Sequence, residues 1–195
     1  MATFNLEKGN KFNLDKGVRK VLIGLGWEAG ANHDLDVSIL GLVHITGSPR
    51  FYGDGSHAVC FANESLKQKD NTFVTSDGSI KHYGDSRTGK ESGDDEKIEV
   101  DFSKIPAEIV ELAIFATIYK AKLRGQCFGS VKESYIHVTD LDTNQDLCIY
   151  KLRDEFAGST AVQVGSFLRE GNNWVFKAVG AGSTVELGDI LEQYQ

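Results

Sequence analysis

Short apolar segments recur along this 195-residue chain with glycine, aspartate or asparagine between them. That punctuation favours strands joined by turns over long helices. The chain holds 21 glycines but only 2 prolines, which suits glycine turns and argues against a proline-rich linker. Alternation or apolar runs predict strands at 19–27, 36–43, 58–61, 80–83, 97–102, 134–139, 147–152, 161–168 and 174–179. The run 111–119 is nearly continuous, and its Ile, Phe, Thr and Tyr favour strand over helix. A single helical turn is expected at 105–110, with Pro106 at its start. Glu170-Gly171-Asn172-Asn173 reads as a hairpin turn. Ser183-Thr184-Val185-Glu186 fits a capping box that opens a closing helix, whose apolar face is Leu187, Ile190, Leu191 and Tyr194. Many short strands and one late helix predict a mainly all-β chain, a β-sandwich, with residues 1–195 as one domain.

The formal net charge of −7 argues against a general nucleic-acid binder, which must neutralise phosphates. No basic segment followed by an apolar stretch opens the sequence. The strongest apolar run, residues 21–27, falls far short of the roughly 20 residues that span a bilayer. Cys60, Cys127 and Cys148 lack C-x-x-C spacing and are expected as reduced core thiols. A cytoplasmic location is the expectation.

Several motifs are incomplete. Gly24-Leu25-Gly26-Trp27-Glu28-Ala29-Gly30 resembles a dinucleotide fingerprint, but its third glycine is one position late and no helix is expected after it. Asp140-Leu141-Asp142-Thr143-Asn144-Gln145-Asp146 imitates an EF-hand opening. It lacks the glycine at position six and the glutamate at position twelve, so a polar hairpin turn is expected. His33, His44, His57, His82 and His137 show no metal-protease spacing and are expected as surface or strand residues.

The acidic segments are more informative. Asp34 and Asp36 immediately precede or open a strand, and the segment 84–96 carries Asp85, Ser86, Asp94, Asp95 and Glu96 between two others. Adjacent carboxylates repel, and a hard divalent cation removes that cost. Gly84, Gly89 and Gly93 permit left-handed turns through which oxygens converge. Oxygen donors without histidine or cysteine point to Ca²⁺ or Mg²⁺. Two calcium ions would need about 12 to 16 oxygen contacts, so bidentate carboxylates, carbonyls, Ser86 or Thr88 and water would have to complete the set. Spacing alone fits somewhat better an exposed acidic loop that keeps a β-protein soluble and guards its edge strands.

Leu25-Gly26-Trp27, Asp34-Leu35-Asp36-Val37-Ser38, Asp77-Gly78-Ser79 and the 84–96 loop together resemble the TerD family of tellurium-resistance and stress proteins. Ile105-Pro106, residues 118–121 and Trp174-Val175-Phe176 extend the resemblance over nearly the whole chain. The resemblance implies a cytoplasmic calcium-binding β-sandwich with its acidic loops at one end, and two bound Ca²⁺. It implies ligands from Asp34, Asp36, Asp85, Asp94, Asp95 and Glu96. Ser86 replaces the family's frequent asparagine, Lys90-Glu91-Ser92 replaces a glutamate-glycine-aspartate, and Phe61-Ala62-Asn63 retains only part of a Phe-Tyr-Asn pattern.

The expected function is a non-enzymatic Ca²⁺ module of a tellurite or chemical-stress response, whose ordered loops meet protein partners in a stress-response complex. The alternative is a phosphoesterase or nuclease holding Mg²⁺ or Mn²⁺ on the same carboxylates. Attachment to anionic lipid would need basic or apolar residues beside the loops, and Arg87, Lys90 and Lys97 are a thin supply, so it is not expected.

Overall fold

A computed structural model of the chain describes residues 11–14, 18–28, 32–90 and 93–195. In chain order the strands are β1 (Lys11–Asn13), β2 (Lys20–Gly26), β3 (Leu35–Ile45), β4 (Ser48–Phe51), β5 (Ala58–Val59), β6 (Phe73–Val74) and β7 (Ile80–His82). They continue with β8 (Glu96–Asp101), β9 (Glu111–Ile118), β10 (Tyr135–Asp140), β11 (Gln145–Lys151), β12 (Ala161–Glu170) and β13 (Asn173–Ser183). Short helices are α1 (Ala121–Arg124), α2 (Leu152–Glu155) and α3 (Leu187–Glu192). One sheet runs β1-β13-β12-β9-β3-β4, with β5 also on β3, and the other runs β11-β10-β2-β8-β7-β6. All pairings within named strands are antiparallel.

The alternation read from sequence builds the layer between the sheets. Val21, Ile23 and Leu25 of β2, Ile98 and Val100 of β8, and Ile136 and Val138 of β10 point inward from one sheet. Val37 and Ile39 of β3, Ile114 and Ala116 of β9, and Val162 and Phe167 of β12 meet them from the other. The β9 run is continuous because both of its faces are covered. Ala113 and Phe115 face outward beneath Ile190 of α3, together with Leu40 and Leu42. Phe51 and Tyr194 close over this second apolar layer, with ring centroids 6.0 Å apart.

The expected turns hold at two hairpins. Gly171, with φ 63°, joins β12 to β13, and the 141–144 turn joins β10 to β11. One expectation changes. Ser183 ends β13 opposite Ala161, so it does not cap the last helix. The cap lies three residues later, where the Glu186 N–H donates to Asp189 at 2.9 Å in a reciprocal box. At 105–110 the chain makes the expected single turn, closed by the Ile109 N–H on the Pro106 carbonyl at 3.1 Å. No helix among the described residues is long and apolar enough to cross a membrane.

Gly165 lies where the β12 register shifts against both neighbours. A methyl group there would strike the Phe176 ring and stand 2.7 Å from the Lys177 carbonyl. Gly188 in α3 faces open space. Urea unfolding should therefore show Gly165→Ala destabilised by about 1–3 kcal/mol. Gly188→Ala should be neutral or slightly stabilised, by up to about 1 kcal/mol. Equal midpoints for the two variants would contradict the packing described.

Candidate metal centre

Residues two apart on an extended chain share a face, so Asp34 and Asp36 project together at the start of β3. The loop after β7 brings Asp85 to them. One carboxylate oxygen from each of Asp34, Asp36 and Asp85 lies within 4.8 Å of the others. Asp34 and Asp36 are buried, and Asp34 Oδ1 and Asp36 Oδ2 have no hydrogen-bond partner. Thr117, opposite Asp36 on β9, and Ser38 also carry buried hydroxyls without a partner. Unpaired polar oxygens out of solvent are costly, and several gathered in one place form a cradle for a hard cation. Burial and the Asp85 charge push the Asp34 carboxyl upward. Burial, then Glu96, Asp34 and Asp85, push Asp36 well above the usual carboxylate range.

Glu96 takes a different part. Its Oε2 accepts the Val37 N–H at 2.8 Å and its Oε1 accepts the Ser86 N–H at 3.1 Å. It thus fastens β3 and the 84–90 loop to β8 while buried, and that burial raises its own carboxyl strongly. His82 lies beside it, with Nε2 3.5 Å from Glu96 Oε2. Its Nδ1 accepts the Gly84 N–H at 3.1 Å, which assigns the ring proton to Nε2. Burial lowers His82 to about 4, so the ring is neutral at pH 7.

The other acidic candidates have separate partners. Asp95 Oδ2 accepts the Trp27 N–H at 2.9 Å, and its own N–H donates to the Leu25 carbonyl. Asp94 Oδ1 lies 2.8 Å from His137 Nε2 and accepts the Tyr135 hydroxyl at 3.2 Å. Asp85, Ser86, Thr88, Asp94 and Asp95 nonetheless border one open cavity of about 620 Å³. Asp85 Oδ2 accepts from Arg87 Nε at 2.9 Å, so one of its oxygens already has a cationic partner. Gly89, at φ 56°, rests on the Trp27 indole with no room for a Cβ. Glu91 and Ser92, like Gly30 of the glycine motif, lie outside the described residues.

Of the five histidines, His44, His82 and His137 lie in strands as expected, and two do not. His33 and His57 are buried outside any strand, and His57 Nε2 sits 2.8 Å from Asp77 Oδ2. His137 reaches Asp94 because Gly24 on the paired strand has no side chain, and a Cβ there would collide with both. Its Nδ1 lies 2.8 Å from Thr139 Oγ1 and 3.3 Å from Asp146 Oδ1.

A TerD domain family model matches residues 1–194. The chain is 32% identical to general stress protein 16U of Bacillus subtilis (strain 168), covering 98% of this chain and 97% of that protein. It is 32% identical to the tellurium resistance protein TerD of Serratia marcescens, covering 97% and 96% respectively. A solved homologue of telluride resistance protein from Streptomyces coelicolor A3(2) superposes with a TM-score of 0.68 at 20% identity, over 92% of this chain and 97% of that one.

The His137 pair makes stability pH-dependent. Burial works to lower His137, but Asp94 and Asp146 outweigh it and leave the imidazole above its ordinary value. Burial likewise works to raise Asp94, but His137 and Tyr135 bring it below the usual range. A raised histidine stabilises fully below its unfolded pKa and loses that contribution as pH rises through the folded one. The lowered Asp94 loses its contribution only as pH falls through its own depressed value. His137→Gln should cost about 1–3 kcal/mol near about pH 5.5 and clearly less near about pH 9, by urea unfolding. Equal losses at both pH values would show that the ring acts by packing alone.

Proposed function

The chain belongs to the TerD family, and from its acidic cluster we propose that it is a non-enzymatic Ca²⁺-binding module of a tellurite or chemical-stress response. The observation that carries the reading is the convergence of Asp34, Asp36 and Asp85, two of them with buried oxygens that no protein donor satisfies. An all-oxygen donor set suits a hard cation. Loop-borne and irregular donors suit Ca²⁺, which tolerates variable geometry, better than Mg²⁺, which demands an octahedron. The cavity shared by Asp85, Asp94 and Asp95 offers oxygens for a second ion, with Ser86 and Thr88 at its border.

Binding has a defined local consequence. The cation would displace Arg87 from Asp85 and relieve the repulsion that raises Asp34 and Asp36. The loop 84–90, already held through Ser86 by Glu96, would then be ordered against the start of β3. Such an ordered end is the surface for partners of a stress-response complex. The reading places the protein in the cytoplasm, in keeping with three unpaired cysteines, of which Cys60 and Cys148 are buried.

Calorimetric titration of chelator-treated protein should show saturable binding that favours Ca²⁺ over Mg²⁺. Asp36→Asn should weaken it by about tenfold or more, because it removes both charge and a ligand oxygen. At about 100 times the dissociation constant, Ca²⁺ should add about 2.7 kcal/mol to wild-type stability. No heat and no change in unfolding midpoint at millimolar Ca²⁺ would overturn the proposal.

A further inference from the structure

A segment outside the acidic loops forms part of the same end of the molecule. Immediately after β9 the chain turns at Lys120, which holds a left-handed conformation at φ 53°, and enters α1. Asn32, on the facing segment, is also left-handed at φ 57°. Side chains other than glycine pay a steric penalty there, and such strain gathers at binding sites.

The turn is firmly anchored. Ala121 is buried, the Tyr119 N–H donates to the Asp34 carbonyl at 2.8 Å, and the Lys122 N–H donates to Glu186 Oε1 at 3.2 Å. Arg124 Nη1 donates to the Asn32 carbonyl at 3.1 Å, which places it beside the acidic cluster. From this base Leu123 stands out into solvent with 81% of its surface exposed.

Cations flank that leucine along the chain. The Lys120 ammonium and the Arg124 guanidinium lie 5.0 and 5.5 Å from the centre of the Tyr119 ring. Neither has an ion-pair partner among the described residues, whereas Lys122 reaches Asp189 at 3.8 Å. Arg87, 78% exposed, would join them once a cation takes Asp85. Without metal, the carboxylates of Asp34, Asp36, Asp85, Asp94, Asp95 and Glu96 outnumber the cations Lys120, Arg124 and Arg87 by three formal charges. The two Ca²⁺ of the reading above would reverse the sign of this end. A lone exposed leucine is ordinary; one set among cations, beside a site whose charge reverses, has a specific complement. That complement joins an apolar layer to an anionic surface.

We propose that the Ca²⁺-loaded acidic end docks on an anionic phospholipid surface, with Leu123 entering the apolar boundary and Lys120, Arg124 and Arg87 meeting headgroup phosphates. The inference rests on the calcium reading above. Headgroup oxygens would complete the ion's coordination, and the protein's overall charge of −7 would hold the metal-free form away from the membrane. A free phosphate ion offers the same oxygens but nothing for Leu123, so the leucine distinguishes the two sources.

The test is cosedimentation with vesicles of phosphatidylglycerol and phosphatidylcholine, against phosphatidylcholine alone, in Ca²⁺ or chelator. Wild-type protein should sediment only with the anionic vesicles in Ca²⁺. Leu123→Ser should lower the partition coefficient about tenfold, and Lys120→Gln with Arg124→Gln should abolish binding. Both variants should still take up Ca²⁺ in the calorimeter, since none of these side chains belongs to the cluster of Asp34, Asp36 and Asp85. Wild-type protein that takes up Ca²⁺ yet ignores the vesicles would overturn this inference alone. Unchanged partitioning of Leu123→Ser, with release by millimolar inorganic phosphate, would overturn it in favour of simple phosphate binding. Absence of Ca²⁺ uptake in the calorimeter would remove the calcium reading and this inference together.

Discussion

Glu96 accepts one N–H from Val37 of β3 and another from Ser86 of the loop that precedes β8. Because β3 and β8 belong to different sheets, this one buried carboxylate ties the two layers together at their acidic end. The arrangement has an internal tension. Burial favours protonation of Glu96, but the two N–H donors are best met by its ionised form. Three further carboxylates nearby add to the tension. A cation beside them would resolve it by favouring the ionised state throughout, so the proposed ion binding and the closure of the sheets would be expressions of one electrostatic balance.

The sandwich was legible because its inward faces alternate cleanly. Val21, Ile23 and Leu25 repeat at period two, and so do Ile98 and Val100. Residues 111–119 gave a weaker signal for a physical reason: a strand covered on both faces has no polar side to alternate with. The misplaced helix cap shows a different limit. Ser183 has the chemistry of a cap, but its backbone is taken by the ladder with Ala161, and only the pairing of β12 with β13 reveals that. Residues 11–13 and 48–51 are edge strands too short to show a pattern.

The acidic candidates divide in a way that composition cannot express. Asp34, Asp36 and Asp85 converge with oxygens to spare, Glu96 and Asp95 are occupied by backbone donors, and Asp94 belongs to His137. A carboxylate in a sequence looks the same in all three settings. The signal that could have found His137 was Gly24, the position whose missing side chain admits the ring, but it becomes readable only once β2 is known to lie beside β10. The Lys120–Arg124 turn was missed for the same reason. It is remote from the acidic loops in sequence and reaches them through the pairing of β9 with β3.

That pairing also governs how the chain must be made. The outward residues of β9, Ala113 and Phe115, are apolar, as are its inward residues Ile114 and Ala116. One edge of the strand finds β3, which is synthesised earlier, while the other waits for β12. Until residues 161–170 leave the ribosome, β9 has an unpaired edge and two greasy faces, the condition in which strands recruit one another. The strand is therefore most open to mispairing during translation, before β12 is available to cover it.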